Sequence, residues 1–181
     1  MKQRREVTEI CKELESEILG FNREELLKYT KWAIPKLYNS LKNNEKLEIK
    51  CTPELINKIK KEKIKYRIDK RIDQINIQYV ELYDDIKKDD GIYIQVYLSI
   101  FFYDNVKNNF GDNYTNDRYW NDIWIVTYKE SVVKKNSNCA NCGAIMQYNQ
   151  LKDSFECKYC GNIIQNKSDS NWEIVEIELE N

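Results

Sequence analysis

The chain has 181 residues, 41% hydrophobic and 33% charged, with a formal charge of −1, which suits a globular domain with a small appendage and does not mark a nucleic-acid binder. It contains no histidine, which removes Ser-His-Asp and Cys-His catalysis, His-ligated catalytic zinc and imidazole general bases together. No apolar segment of signal-peptide length follows Met1 to Arg5, and the most apolar stretch, Ile92 to Phe102, alternates like a strand rather than running on as a membrane helix.

Val7, Ile10, Cys11, Leu14 and Ile18 recur at helical spacing, predicting an amphipathic helix from about Arg4 to Leu19 that Gly20 stops. Cys11 lies on the apolar stripe and is expected to be buried as a small hydrophobe; neither it nor Cys51 is expected to carry function. A second helix opens at Asn22, where Glu25 completes a capping-box-like pair and Phe21 can staple onto Leu26. Its face of Leu26, Tyr29, Ala33, Leu37 and Leu41 contains Pro35, which should kink or break the helix near Ile34. Thr52-Pro53-Glu54 reads as cap, first-turn proline and acid at the positive end of the dipole. The third helix it opens is expected to reach about Lys70, with Leu55, Ile56, Ile59 and Tyr66 inward. From Lys42 to Arg71 there are eleven Lys/Arg against five Asp/Glu. The basic face is Lys58, Lys60, Lys61, Lys63, Lys65 and Arg67.

After Arg71 the period changes to two. Ile75, Ile77, Tyr79 and Tyr83 alternate with polar residues, and Asp89-Asp90-Gly91 marks a turn. The next strand places Ile92, Ile94, Val96, Leu98, Ile100 and Phe102 on one side. Its other side, which includes Tyr93, Tyr97 and Tyr103, is amphipathic, as in a sheet covered on both faces or lining a cavity. Asp104 to Asp117 reads as a loop. A third strand puts Trp120, Asp122, Trp124, Val126 and Tyr128 on one face, and the last, Trp172 to Leu179, alternates Val175, Ile177 and Leu179 with Glu176, Glu178 and Glu180. Helices first and then a bent antiparallel sheet is an α+β order.

Between those last two strands lie Cys139-Ala140-Asn141-Cys142-Gly143 and Cys157-Lys158-Tyr159-Cys160-Gly161. Two thiolates two residues apart on a tight turn reach one ion at about 2.3 Å, and two such turns complete a tetrahedron. The spacing predicts one structural zinc held by Cys139, Cys142, Cys157 and Cys160, with no open position to activate water. Thiolate ligands need a reducing compartment, so a cytoplasmic setting is expected. The expected organisation is an amphipathic helix over 1–20, an α+β domain over 21–133 and 172–181, and a zinc ribbon inserted over 134–171.

These elements together resemble bacterial proteins of the Tim-forty-four-like domain family. The resemblance rests on Trp120, Thr127-Tyr128, the two Cys-x-x-Cys-Gly units and Trp172, with Ala140 where the family usually has proline. It implies a cone of helices on a bent sheet, of nuclear-transport-factor-two and ketosteroid-isomerase type. It further implies a non-enzymatic binding or transport-related role, with an unidentified protein or a lipid-like hydrophobic ligand in a concave pocket. Tyr93, Tyr97, Tyr103, Trp120, Asp122 and Trp124 are the candidate pocket residues. The basic face could add weak peripheral contact with an anionic membrane. Two alternatives stand beside this reading. A small isomerase-type enzyme would need Asp122 as a buried carboxylate between Trp120 and Trp124. A nucleic-acid-binding ribbon would need clustered Lys/Arg, which the segment between the ligand pairs lacks, so nucleic acid is not expected as a partner.

Overall fold

The computed structural model describes residues 5–18, 21–70, 72–104, 118–130, 138–149, 154–165 and 172–180. The expected loop from Asp104 to Asp117, the stop at Gly20 and the domain boundary near 133 fall wholly or largely outside them. The chain divides into two units, Met1–Asn22 with Ser131–Asn171, and Arg23–Glu130 with Trp172–Asn181.

The larger unit is α+β. Helices α2 (Arg23–Asn43) and α3 (Pro53–Lys61) precede strands β1 (Ile72–Lys88), β2 (Gly91–Asp104), β3 (Arg118–Glu130) and β7 (Trp172–Glu180). The strands form one antiparallel sheet in the order β1-β2-β3-β7. The chain leaves it at Glu130 and returns at Trp172, which are register partners. The smaller unit contains α1 (Val7–Glu17) and a three-stranded sheet of β4 (Gln147–Asn149), β5 (Ser154–Glu156) and β6 (Ile163–Gln165). On α1, Ile10 and Leu14 are buried, while Cys11 is only half-buried, less than its place on the stripe suggested.

The core of the sheet is one face of β2. Ile92, Ile94, Val96, Leu98, Ile100 and Phe102 are all buried, and α2 and α3 cover that face. Tyr38 of α2 meets Phe102 with ring centroids 5.6 Å apart, and Tyr29 meets Tyr128 at 6.1 Å. Pro35 does not break α2, which runs unbroken from Arg23 to Asn43. An interior proline costs about 3 kcal/mol, and burial of Ala33, Ile34, Leu37, Tyr38 and Leu41 around it offsets that loss.

The third helix opens as its sequence predicts, with the Thr52 hydroxyl accepting from the Leu55 N–H and Pro53 in the first turn. It ends at Lys61, not near Lys70. Lys58, Lys61 and Lys65 would stack like charges at i+3 and i+4 on a longer helix, and tertiary contacts reward a turn instead. Tyr66 packs edge-on against Trp124 at 6.1 Å and donates to the Ile177 carbonyl at 3.1 Å. Arg67 takes a positive φ of 57°. Together with Lys50 and Thr52, which exchange backbone hydrogen bonds with Ile174, Tyr66 closes part of the exposed edge of β7.

The inward face of β1 differs from the simple alternation. Register shifts fall between Ile77 and Tyr79 and between Leu82 and Asp84. Each extra residue flips the side chains that follow. Ile75 and Ile77 therefore oppose the buried Phe102 and Ile100, but Val80 and Leu82, not Tyr79 and Tyr83, continue that row opposite Leu98 and Val96. Tyr79 is 51% exposed and Leu82 fully buried. Leu82→Ala should accordingly cost roughly 2–5 kcal/mol, whereas Tyr79→Ala should cost under about 1 kcal/mol. Urea denaturation of the two variants checks this, and equal costs would contradict the shifted register.

Candidate metal centre

The two Cys-x-x-Cys-Gly units fold as near-identical turns. Gly143 donates its N–H to the Cys139 carbonyl at 2.7 Å, and Gly161 donates to that of Cys157 at 2.9 Å. Each turn then closes through the N–H of its first cysteine, Cys139 to the Ala144 carbonyl and Cys157 to that of Asn162. Gly143 and Gly161 have φ of 75° and 72°, a left-handed backbone that glycine adopts without a Cβ penalty. The result brings all four sulfurs within 4.8 Å of one another. Cys139 and Cys160 Sγ lie 3.5 Å apart, and Cys142 and Cys157 Sγ 3.4 Å. Four thiolates at about 2.3 Å from one ion would be about 3.8 Å apart in a regular tetrahedron, so this group could hold a metal ion.

The surroundings favour charged sulfur at the first cysteine of each turn. At Cys142 the Ala144 N–H lowers the pKa, but hydrogen bonding to the Cys157, Cys160 and Cys139 sulfurs together with burial pushes it up to about 12. Burial opposes ionisation of Cys139, but the N–H groups of Asn141 and Cys142, the Cys160 thiol and the Asn162 side chain outweigh it and bring its pKa down to about 6. The Asn162 amide stands 3.7 Å from that sulfur. Cys157 is likewise lowered, chiefly by the N–H groups of Cys160 and Tyr159. The first cysteine of each turn is buried and the second exposed. Among the described residues the buried pair clusters with Met146 and Phe155, with Ala144 packed against them. An ion across both turns would cross-link them, as structural zinc does in small domains.

The six expected pocket residues do not meet. Trp120, Asp122 and Trp124 share the core side of β3, opposite Phe102, Ile100 and Leu98, while Tyr93, Tyr97 and Tyr103 lie on the other side of β2. Beneath α2 and α3, the cavity lined by residues including Leu37, Ile59, Tyr66 and Trp124 holds about 10 Å³, room for at most one water. Tyr93 serves the β1–β2 turn: its hydroxyl and Lys129 Nζ each donate to Asp90 at 2.6 Å, which holds the Asp90 carboxyl down at about 2.

Asp122 is engaged by one of the expected surface cations. Arg67 Nε and Nη2 donate to its two carboxylate oxygens at 3.0 and 3.2 Å, and the guanidinium stands 5.6 Å from the Trp120 ring centre. Arg67 therefore leaves the basic surface. Lys58 faces Glu176 at 3.9 Å and Lys65 faces Glu62 at 3.5 Å, while Lys60, Lys61 and Lys63 are exposed. Among the described residues, the carboxyl that burial perturbs is Glu130, which continues the period of two of Trp120 to Tyr128. Desolvation, opposed by Lys50, pushes its pKa up to about 7.

No protein-family model matches the chain, and no curated protein matches it. Among the described residues, no helix is long and apolar enough to cross a membrane.

Glu130 sets a pH dependence. Below its ordinary value of 4.5 the carboxyl is protonated in folded and unfolded chains alike; between there and about 7 the unfolded chain releases the proton while the folded one keeps it. Stability is thus lost as pH rises through that window. Relative to the wild type, Glu130→Gln should remove this component of the decline, measured as urea midpoints from pH 4 to 8. Parallel curves for the two proteins would show that the group is not buried as described.

Proposed function

We propose that the chain is a non-enzymatic interaction module whose Cys139, Cys142, Cys157 and Cys160 hold one structural zinc ion. The convergence of four sulfurs within 4.8 Å on two glycine-closed turns carries this reading. An all-thiolate, four-coordinate set suits a soft ion and leaves no position for water or substrate, so zinc would act as a cross-link. The chain's own residues do the rest. The glycines turn the backbone back, the amides of Asn141, Cys142, Tyr159 and Cys160 support negative sulfur, and Met146 and Phe155 shield the buried pair. Reduced thiolates suit a reducing compartment, which makes the cytoplasm the proposed setting.

Within this reading we place the chain with the Tim-forty-four-like family and its cone-like domain. Two features support that placement: helices precede an antiparallel sheet, and the cysteine turns fall between the third and last strands of that sheet. A protein partner is favoured over an acyl chain, because the cavity of about 10 Å³ beneath the helices cannot admit one and the space of about 260 Å³ beside Tyr93 is lined largely by polar groups, Lys88, Gln95, Thr127 and Glu176 among them. Catalysis through Asp122 is disfavoured, since Arg67 occupies both of its oxygens.

Native mass spectrometry of protein purified without chelator or added metal should find one zinc per chain. Cys142→Ser and Cys157→Ser should each lose the metal and, by hydrogen exchange, the protection of β4, β5 and β6. Stoichiometric zinc in either variant, or iron in the wild type, would overturn the assignment.

A further inference from the structure

Both helices of the larger unit pack on one face of its sheet, and the opposite face has a chemical pattern of its own. By strand register, one row on that face is Glu81, Tyr97, Ile125 and Glu178, of which Ile125 is buried; the next is Tyr79, Ser99, Ile123 and Glu180. Tyr97 stands at the centre of an aromatic group, with Tyr79 edge-on at 6.0 Å and Tyr83 stacked at 6.4 Å. Along β7, Glu176, Glu178 and Glu180 are exposed and line one border of this strip, Glu176 already facing Lys58 at 3.9 Å. Residues two apart on a strand are about 6.8 Å apart, so the glutamates form an evenly spaced anionic row beside a tyrosine platform.

We propose that this face docks a lysine- or arginine-rich peptide segment of a partner protein. The proposal deepens the interaction-module reading by naming its surface, and it does not depend on the metal. Charge complementarity selects the occupant. Carboxylates along the border attract cations, and tyrosine faces attract them as well through the ring quadrupole. The face already contains one such pairing: Arg23 of α2 binds the Glu81 carboxylate, which Tyr79 Oη also approaches at 3.5 Å. The polarity of the face limits the site at the other end. There Lys88 and Lys129 stand 4.3 and 5.4 Å from the Tyr93 ring centre and would repel a further cation, so the segment belongs over the Tyr97 end. A nucleic acid would meet the glutamate row as a like charge.

The test is fluorescence anisotropy with a labelled octa-arginine peptide, an octa-glutamate control, and zinc measured in every sample. The wild type should bind the arginine peptide, with affinity falling as salt rises from about 50 to 500 mM. Glu178→Gln/Glu180→Gln and Tyr97→Ser should each weaken binding about tenfold or more at unchanged zinc content and circular dichroism, while Lys60→Gln/Lys61→Gln should not. No binding by the wild type, or undiminished binding by Tyr97→Ser, would overturn the proposal. So would preference for the glutamate peptide, or self-association that consumes the same face. Loss of zinc with retained peptide binding would sink the metal reading and leave this one standing.

Discussion

The larger unit depends on a single row of side chains, the six apolar residues that alternate along β2 from Ile92 to Phe102. Because a strand's side chains alternate strictly, that row determines which residues of β1 and β3 face the helices and which face away. Both neighbours accommodate it. β3 matches it without interruption, bringing Trp120, Asp122, Trp124, Val126, Tyr128 and Glu130 to the same side. β1 matches it only by inserting extra residues, which keeps Val80 and Leu82 in the core and turns Tyr79 outward. The helices then settle by aromatic contact, Tyr38 on Phe102 and Tyr66 on Trp124. The cavity beneath them that Leu37, Ile59, Tyr66 and Trp124 help to line holds about 10 Å³.

The smaller unit rests on a different principle. Its strands are three residues long, and among the described residues its hydrophobic cluster contains two of the four candidate ligand thiols. What area cannot supply, a metal bridge can: structural zinc sites contribute on the order of 10–16 kcal/mol of apparent binding free energy. The two turns are suited to it because each orients backbone amides toward its first sulfur while exposing its second. Sheet packing stabilises the larger unit, and under the proposed function a metal cross-link would serve the smaller one.

The cysteine centre was legible in the sequence because its geometry is local: spacing and a following glycine determine each turn, and the second turn repeats the first. The strand faces were legible for the same reason, wherever the period of two ran unbroken. What could not be read were features settled across the fold. Nothing in β1 announces an extra residue near Gln78, since a bulge is paid for by the neighbouring strand. The third helix stops at Lys61 because Tyr66 and Arg67 have partners on β3 and β7, and Arg67 and Asp122 lie 55 residues apart in sequence. That pairing converts one candidate surface cation and one candidate catalytic acid into a structural bond. Glu130 is legible by the same period of two, one step beyond Tyr128 and opposite the buried Ile92.

The central claim is that four sulfurs, and nothing else, surround one zinc ion. Extended X-ray absorption fine structure at the zinc edge tests it most directly on the purified protein. The account predicts four sulfur scatterers at about 2.3 Å with no nitrogen or oxygen in the first coordination sphere. Nitrogen or oxygen neighbours in that sphere would mean that at least one of the four cysteines is not a ligand and that the site is open, contradicting a purely structural metal.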